Sequence, residues 1–293
     1  MNLKHLILPI GLIVALSACS DFFETSLELE APAYDKTLVL DCQVKSGQDT
    51  VLIRVSRNFG ILENIKYQAE AEINDATVQL NINGLTNNAS KLVDATDYNY
   101  RIILNSKLKP GDQLEIKAAH PTYPSVTSSA TLLPFCEVIS AGFTENGGLD
   151  NSGDKRSKIT IKIKDKPGKN YYAIQVLAPN SNGRIRPTFI SSIDPGLKEA
   201  FGNNILVLTD EGFDGKEKIL DILMYPIAAD HAKGNLKVVW YDINESYYHF
   251  SRSLLEFDKT KDNPFANPVS VISNINNGTG IFAAHTYQEV DVK

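Results

Sequence analysis

Apolar and polar residues alternate with period two through most of this chain, which is the pattern of half-buried β-strands. Ala76-Thr77-Val78-Gln79-Leu80-Asn81-Ile82 shows it most clearly, and Asn83-Gly84 follows at once. Asn-Gly closes two-residue hairpins because both of its residues accept a positive φ. Strands are also expected over 37–44, 49–56, 98–104, 113–119 and 126–132, separated by turns such as Ser46-Gly47-Gln48 and Lys109-Pro110-Gly111-Asp112. About seven short strands in roughly 100 residues, with turns at regular intervals, match an immunoglobulin-like β-sandwich over residues 37–134. Leu133-Pro134 breaks the pattern and marks the expected boundary.

A second, less regular β-sandwich is expected over 135–293. Its strands fall at 136–143, 158–164, 171–177, 205–209, 219–225 and 236–242, with a polar loop from Asn146 to Lys155. One helix interrupts it, from Glu245 to Lys259. There Tyr247, Phe250, Leu254 and Phe257 recur at helical spacing, and Asn244 or Ser246 can cap its start. The aromatic stripe is read as core. The fold class is therefore all-β, two sandwich domains with one amphipathic helix in the C-terminal half.

The first residues follow a different pattern. Lys4 precedes an apolar run from Leu6 to Leu16, and Leu16-Ser17-Ala18-Cys19 closes it. This is the order of a secretory signal, with an apolar run shorter than the ~20 residues a membrane-crossing helix needs. The last four residues look like a lipobox. Residues 1–18 are expected to be removed and Cys19 to be acylated, anchoring the protein to a membrane through lipid. Residues 19–36 are acid-rich and aperiodic and read as a tether. Acids just after a lipidated cysteine resemble the sorting signals that carry some lipoproteins to the outer face of the outer membrane.

Charge and motifs narrow the function classes. The chain carries 29 Lys and Arg against 35 Asp and Glu, net −6, and loss of residues 1–18 removes one lysine and no acid. An acidic chain without a basic cluster is a poor partner for nucleic acid. Beyond Cys19 the cysteines are Cys42 and Cys136; export permits a disulfide between them, and two buried free thiols are the alternative. His120, His231, His249 and His285 lack ligand spacing. Asp210-Glu211-Gly212-Phe213-Asp214-Gly215 is the densest acidic loop, without the alternating acids of a calcium hand, and reads as a turn. Tyr34, Tyr67, Tyr98, Tyr100, Tyr123, Tyr247 and Tyr248 offer stacking surface or core in equal measure. Nucleophile-elbow, zinc-protease and phosphate-loop motifs do not occur. The expectation is a non-enzyme with no cofactor and no metal, whose ligand the sequence does not name.

Several blocks carry a resemblance: Leu208 to Lys216 around Phe213-Asp214-Gly215, Tyr247-Tyr248 in the helix, Asp262 to Val269, and above all Ser273 to Ala284. Lys109-Pro110-Gly111-Asp112 and Thr131-Leu132-Leu133-Pro134 add to it. Together they resemble the family called domain of unknown function 4249. The resemblance implies a surface lipoprotein of Gram-negative bacteria associated with a TonB-dependent outer-membrane transporter, with no catalytic residue to carry over. The expected function is an accessory or binding subunit for nutrient uptake; a structural or adhesive surface module is the alternative. The Ser273–Ala284 block is expected to pack a loop and a last strand onto the second sandwich.

Overall fold

The structure is a computed structural model that describes residues 33–60, 62–92, 97–180, 182–202, 204–263, 265–267 and 269–293. The expected signal, Cys19 and most of the tether lie outside the described residues. Residues 33–35, 60 and 62–64 belong to a small unit of their own, within which the Tyr34 hydroxyl donates to Glu63 Oε2 at 3.2 Å. Everything below concerns the larger unit, residues 36–59 and 65–293.

The chain is all-β with one long helix. The first half contributes β1 (Leu38–Lys45), β2 (Thr50–Arg57), β3 (Thr77–Ile82), β4 (Leu85–Asn88), β5 (Ser90–Lys91), β6 (Tyr100–Ile103), β7 (Gln113–His120) and β8 (Tyr123–Thr131). The second half begins with β9 (Glu137–Leu149), β10 (Lys155–Lys164), β11 (Tyr171–Pro179), β12 (Ile185–Pro187), β13 (Ile190–Ser191) and β14 (Lys198–Glu199). It ends with β15 (Leu206–Thr209), β16 (Glu217–Met224), β17 (Lys237–Ile243), the helix Glu245–Thr260 and β18 (Thr279–Asp291). The Asn83-Gly84 hairpin forms as read: both residues have positive φ, 51° and 89°, and Ile82 pairs with Leu85. The loop expected from Asn146 to Lys155 is shorter, because β9 runs on to Leu149 and β10 starts at Lys155.

Two four-stranded sheets, β4-β3-β7-β8 and β13-β16-β10-β9, lie against one ten-stranded sheet, ordered β14-β15-β11-β17-β18-β1-β2-β6-β5 with β12 beside β11. Each small sheet buries its own core against the large one. Leu40, Ile53, Leu80, Ile116 and Leu132 fill the first core; Ile161, Tyr172, Ile222, Val238 and Trp240 fill the second. The chain passes between them near residue 134, since Leu132 belongs to the first core and Cys136 to the second. The large sheet shows no break at that point. It is closed by β18, which pairs in parallel with β1 (Leu40 opposite Gly280) and antiparallel with β17.

β18 therefore serves both cores. Side chains of a strand alternate between faces, and its even-numbered residues share one: Phe282 and Ala284 enter the first core, Val290 and Val292 the second. The expectation that the Ser273–Ala284 block packs onto the second sandwich is corrected here. Ile275, Phe282 and Ala284 lie in the first core because β18 enters the sheet beside β1.

The opposite face of the large sheet carries the long helix. Tyr171, Ala173, Val207 and Ile243 form a third small core, with Tyr247 and Tyr248 packed against it. The helix starts at Glu245 as expected and runs one residue past Lys259; Tyr247 packs inward as expected, but the rest of the inward face differs. Its buried residues are Ser251 and Leu255, whereas Phe257 is 40% exposed. Small Ser251 lets the helix approach the chain at Phe201, whose N–H donates to the Ser251 carbonyl at 3.2 Å. Asn244 holds the N-cap position without a side-chain capping bond. Its amide instead accepts from Ala284 N–H at 3.0 Å and donates to the Thr131 carbonyl at 3.1 Å, joining helix, β18 and β8. No helix among the described residues is long and apolar enough to cross a membrane.

Candidate functional site

A cleft of about 830 Å³ opens on the helix-bearing face of the large sheet. Its floor is Val39 and Asp41 of β1, Arg54 and Ser56 of β2, and Thr279, Gly280 and Ile281 of β18. One wall is Phe250 of the long helix with Ser270, Val271 and Ser273 of the segment behind it; the other includes Phe59, Ile65 and Ala71. Floor residues face the cleft because they alternate with Leu38, Leu40 and Cys42, which point into the first core. The volume and the mostly apolar walls with a few convergent polar groups are those of a small-molecule site.

The segment that walls the cleft is pinned on three sides. Ser253 Oγ accepts from Ile272 N–H at 2.9 Å, tying it to the helix. Asn274 imitates a strand neighbour of β18: its amide donates to the Phe282 carbonyl at 2.7 Å and accepts from Phe282 N–H at 2.9 Å. Asn276 forms an antiparallel bridge with Thr127 of β8. The glycines that follow are there for close approach. A Cβ on Gly278 would lie 2.5 Å from the Leu38 carbonyl oxygen; one on Gly280 would lie 2.0 Å from that of Leu40. Gly280 also has φ +114°, a region that side chains disfavour.

Charges converge on the cleft floor. Asp41 and Arg54 are cross-strand partners of β1 and β2. Burial raises the Asp41 carboxyl above the usual carboxylate range, with Arg54 and the Gln43 side chain pulling it partly back. Arg54 is drawn toward the rim: its Nε donates to the Asp97 carbonyl at 2.6 Å, and a terminal nitrogen lies 3.9 Å from the Asp97 carboxylate.

A second polar group lies between the two cores. Asp242, fully buried, accepts Lys166 Nζ and the Cys136 N–H, the latter at 3.0 and 3.1 Å. Lys166 also donates to the Pro134 carbonyl at 2.6 Å, and Gln288 donates to the Cys136 carbonyl at 2.6 Å. Burial pushes the Asp242 carboxyl up, and Lys166 opposes it. Thr286 Oγ1 and Trp240 Nε1, also buried, have no partner among the described residues. This group ties the residue before β9 and the turn after β10 to β17 and β18, where the chain crosses from one core to the other.

The residues singled out in the sequence are dispersed. Cys42 and Cys136 are both free thiols, one in each core. Burial raises both, Cys136 to about 12, leaving little thiolate. The Asp210–Gly215 loop is a clamped turn. Asp210 Oδ2 accepts Asn170 N–H at 2.7 Å, Asp214 Oδ1 accepts Gly168 N–H at 2.8 Å, and Phe213 is buried in the second core. Asp165 lies within 4.8 Å of both acids, and its oxygens accept the Tyr172 hydroxyl and Gly215 N–H. Tyr100 is buried, donating to the Ile73 carbonyl at 2.9 Å, and Tyr67 is exposed. Tyr98 and Tyr247 lie near enough to Asp41 for its charge to raise both hydroxyls further. No local signal in the sequence marks Asp41, Arg54 or Ile281 as neighbours, since they meet only through the β1–β18 and β1–β2 pairings.

His285 is held away from its ordinary proton affinity. It is buried on β18 under the long helix, with the Tyr247 ring centroid 4.4 Å away and no partner for either ring nitrogen among the described residues. Burial, with a smaller contribution from Lys45, lowers its pKa to about 3. An unfolded chain binds a proton near pH 6.5 that the folded chain refuses, so stability is lost as the pH falls from about 6.5 toward 3. At pH 5.5 the loss is roughly 1.4 kcal/mol. Urea unfolding at pH 7.5 and 5.5 should show this drop, and His285→Phe should shrink it; an identical pH slope in both proteins would refute the assignment.

A model of the family described as "Domain of unknown function (DUF4249)" matches residues 24–290. The chain belongs to this family. A search of curated proteins returns no match. Among solved structures, the chain is similar to "Biofilm associated protein - BSP domain", at 7% identity and a TM-score of 0.21. That alignment covers 91% of this chain and 61% of the other, so the chain spans less than two thirds of its length. The Ser273–Ala284 block, on which the resemblance read from the sequence chiefly rests, supplies Ser273 to the wall of the cleft and Thr279, Gly280 and Ile281 to its floor.

Proposed function

We propose that this DUF4249 protein is a non-catalytic binding subunit, held to the outer membrane by acyl chains on Cys19 and facing the cell exterior, where it captures a ligand for a TonB-dependent transporter. The observation that carries the reading is the cleft. The Ser273–Ala284 block supplies floor at Thr279–Ile281 and Ser273 of the wall, next to Ser270 and Val271, and two close-approach glycines hold that block against β1. The lipobox at Leu16–Cys19 supports the anchor, and the acid-rich residues behind it support an outward address. Acyl chains at ~0.8 kcal/mol per buried methylene make a lasting mooring when more than one is attached.

The test is purification from detergent-solubilised outer membranes by a tag on the C-terminus. A large β-barrel transporter should co-purify in comparable amount, and Cys19→Ala should release the protein from the membrane fraction. Recovery of the lipoprotein alone, under conditions that keep other lipoprotein–transporter pairs together, would sink the reading.

A further inference from the structure

We propose that the cleft takes a small amphipathic cation, an ammonium group on an apolar chain or ring, with the ammonium seated on Asp41. This rests on the reading that the cleft is a ligand site, and it adds the chemical class of the ligand. Asp41 sits on a floor whose neighbours are Val39 on its own strand and Ile281 across the parallel pair, with Phe250 and Val271 as the apolar wall. No Lys, Arg or His nitrogen among the described residues lies within 4.0 Å of its carboxylate, although Arg54 is its cross-strand partner. Arg54 turns instead to the backbone and carboxylate of Asp97.

A carboxylate held in apolar surroundings without a close countercharge is costly, and a cation placed beside it recovers that cost. Burial already raises the Asp41 carboxyl, with Arg54 and Gln43 opposing. The other groups that feel its charge are the phenols of Tyr98 and Tyr247 and the Cys42 thiol. Phenols and a thiol supply no cation. Arg54 and Arg57 also line the cleft, but Arg54 is held by Asp97 and Arg57 donates to the Asn58 carbonyl; on the floor itself an anionic ligand would meet Asp41, and a neutral one would leave it uncompensated. The cleft volume of about 830 Å³ accommodates a chain or ring of drug-fragment size.

Octylamine, octanol and octanoate separate the charge from the apolar body. Calorimetric titration of the mature protein at pH 7.5 should show octylamine binding at least tenfold more tightly than the other two. Asp41→Asn should bring the three within about twofold of one another, with unfolding by urea little changed. Equal binding of all three by the parent, or octylamine binding that survives Asp41→Asn, would overturn the ligand class. Val271→Trp separates that failure from failure of the site itself. It should fill the wall and abolish binding of all three probes, and octylamine binding unaffected by it would overturn the cleft as well.

Discussion

Gly280→Ala should destabilise the protein by ~4 kcal/mol, the sum of a disfavoured backbone conformation and a main-chain collision. The residue has φ +114°, and its added Cβ would lie 2.0 Å from the Leu40 carbonyl oxygen, against backbone that cannot rotate away. Relief requires β18 to move off β1, and that pairing runs from Val39 opposite Thr279 to Lys45 opposite His285. Because even-numbered residues of β18 enter both cores, the damage should spread to each. Gly278→Ala should cost about half as much: its backbone lies outside the positive-φ region, but its Cβ would meet the Leu38 carbonyl at 2.5 Å and Val126 at 2.6 Å. Urea unfolding of each variant measures this, and a Gly280→Ala loss below ~1 kcal/mol would contradict the close packing of β18 on β1.

Asp242→Ala should cost ~3 kcal/mol, toward the low end for loss of one partner of a buried ion pair, because Lys166 is partly exposed and keeps the Pro134 carbonyl. The Cys136 N–H loses its acceptor in the same change. The reciprocal Lys166→Met gives a sharper reading. It strands the Asp242 carboxylate in the interior, where burial already favours the protonated form. A group whose folded pKa is raised destabilises the fold as it is forced to ionise, so the loss in Lys166→Met should grow as the pH rises from 5 to 8 and shrink in acid. A pH-independent loss would mean that Lys166 acts through packing and not through charge.

How much of this was legible depends on what covers each strand. β3, β7 and β10 have one face on a core and one in water, so Val78-Leu80-Ile82, Leu114-Ile116-Ala118 and Ile159-Ile161-Ile163 announce themselves by alternation. β18 does not. From Ile281 to Thr286 every residue is buried, because two cores lie on one face and the helix and its neighbours on the other. Period two vanishes when both faces are covered. β4 and β5 escaped for the opposite reason, being short, polar and exposed. In the helix the aromatic spacing pointed to Phe257, whereas the sheet receives Ser251 and Leu255, a choice set by the partner surface.

The site was less legible than the fold. Val39 and Ile281 stand at opposite ends of the sequence, and the parallel pairing of the first and last strands of the large sheet makes them neighbours. The likeness of Ser273–Ala284 to a family pointed at the right segment. Its role became readable only when Gly278 and Gly280 were seen against the β1 backbone and Asn274 against Phe282.

The cleft over β1, β2 and β18 is the proposed ligand site. Methyl-resolved NMR of the isoleucine- and valine-labelled protein, titrated with octylamine and with octanol, tests it most directly. The methyl signals of Val39, Ile65, Val271 and Ile281 should shift together and saturably with at least octylamine, while those of Ile139 and Ile219, exposed on the β13-β16-β10-β9 sheet, stay in place. Shifts confined to that sheet, with the four cleft methyls unmoved by either probe, would contradict the proposal.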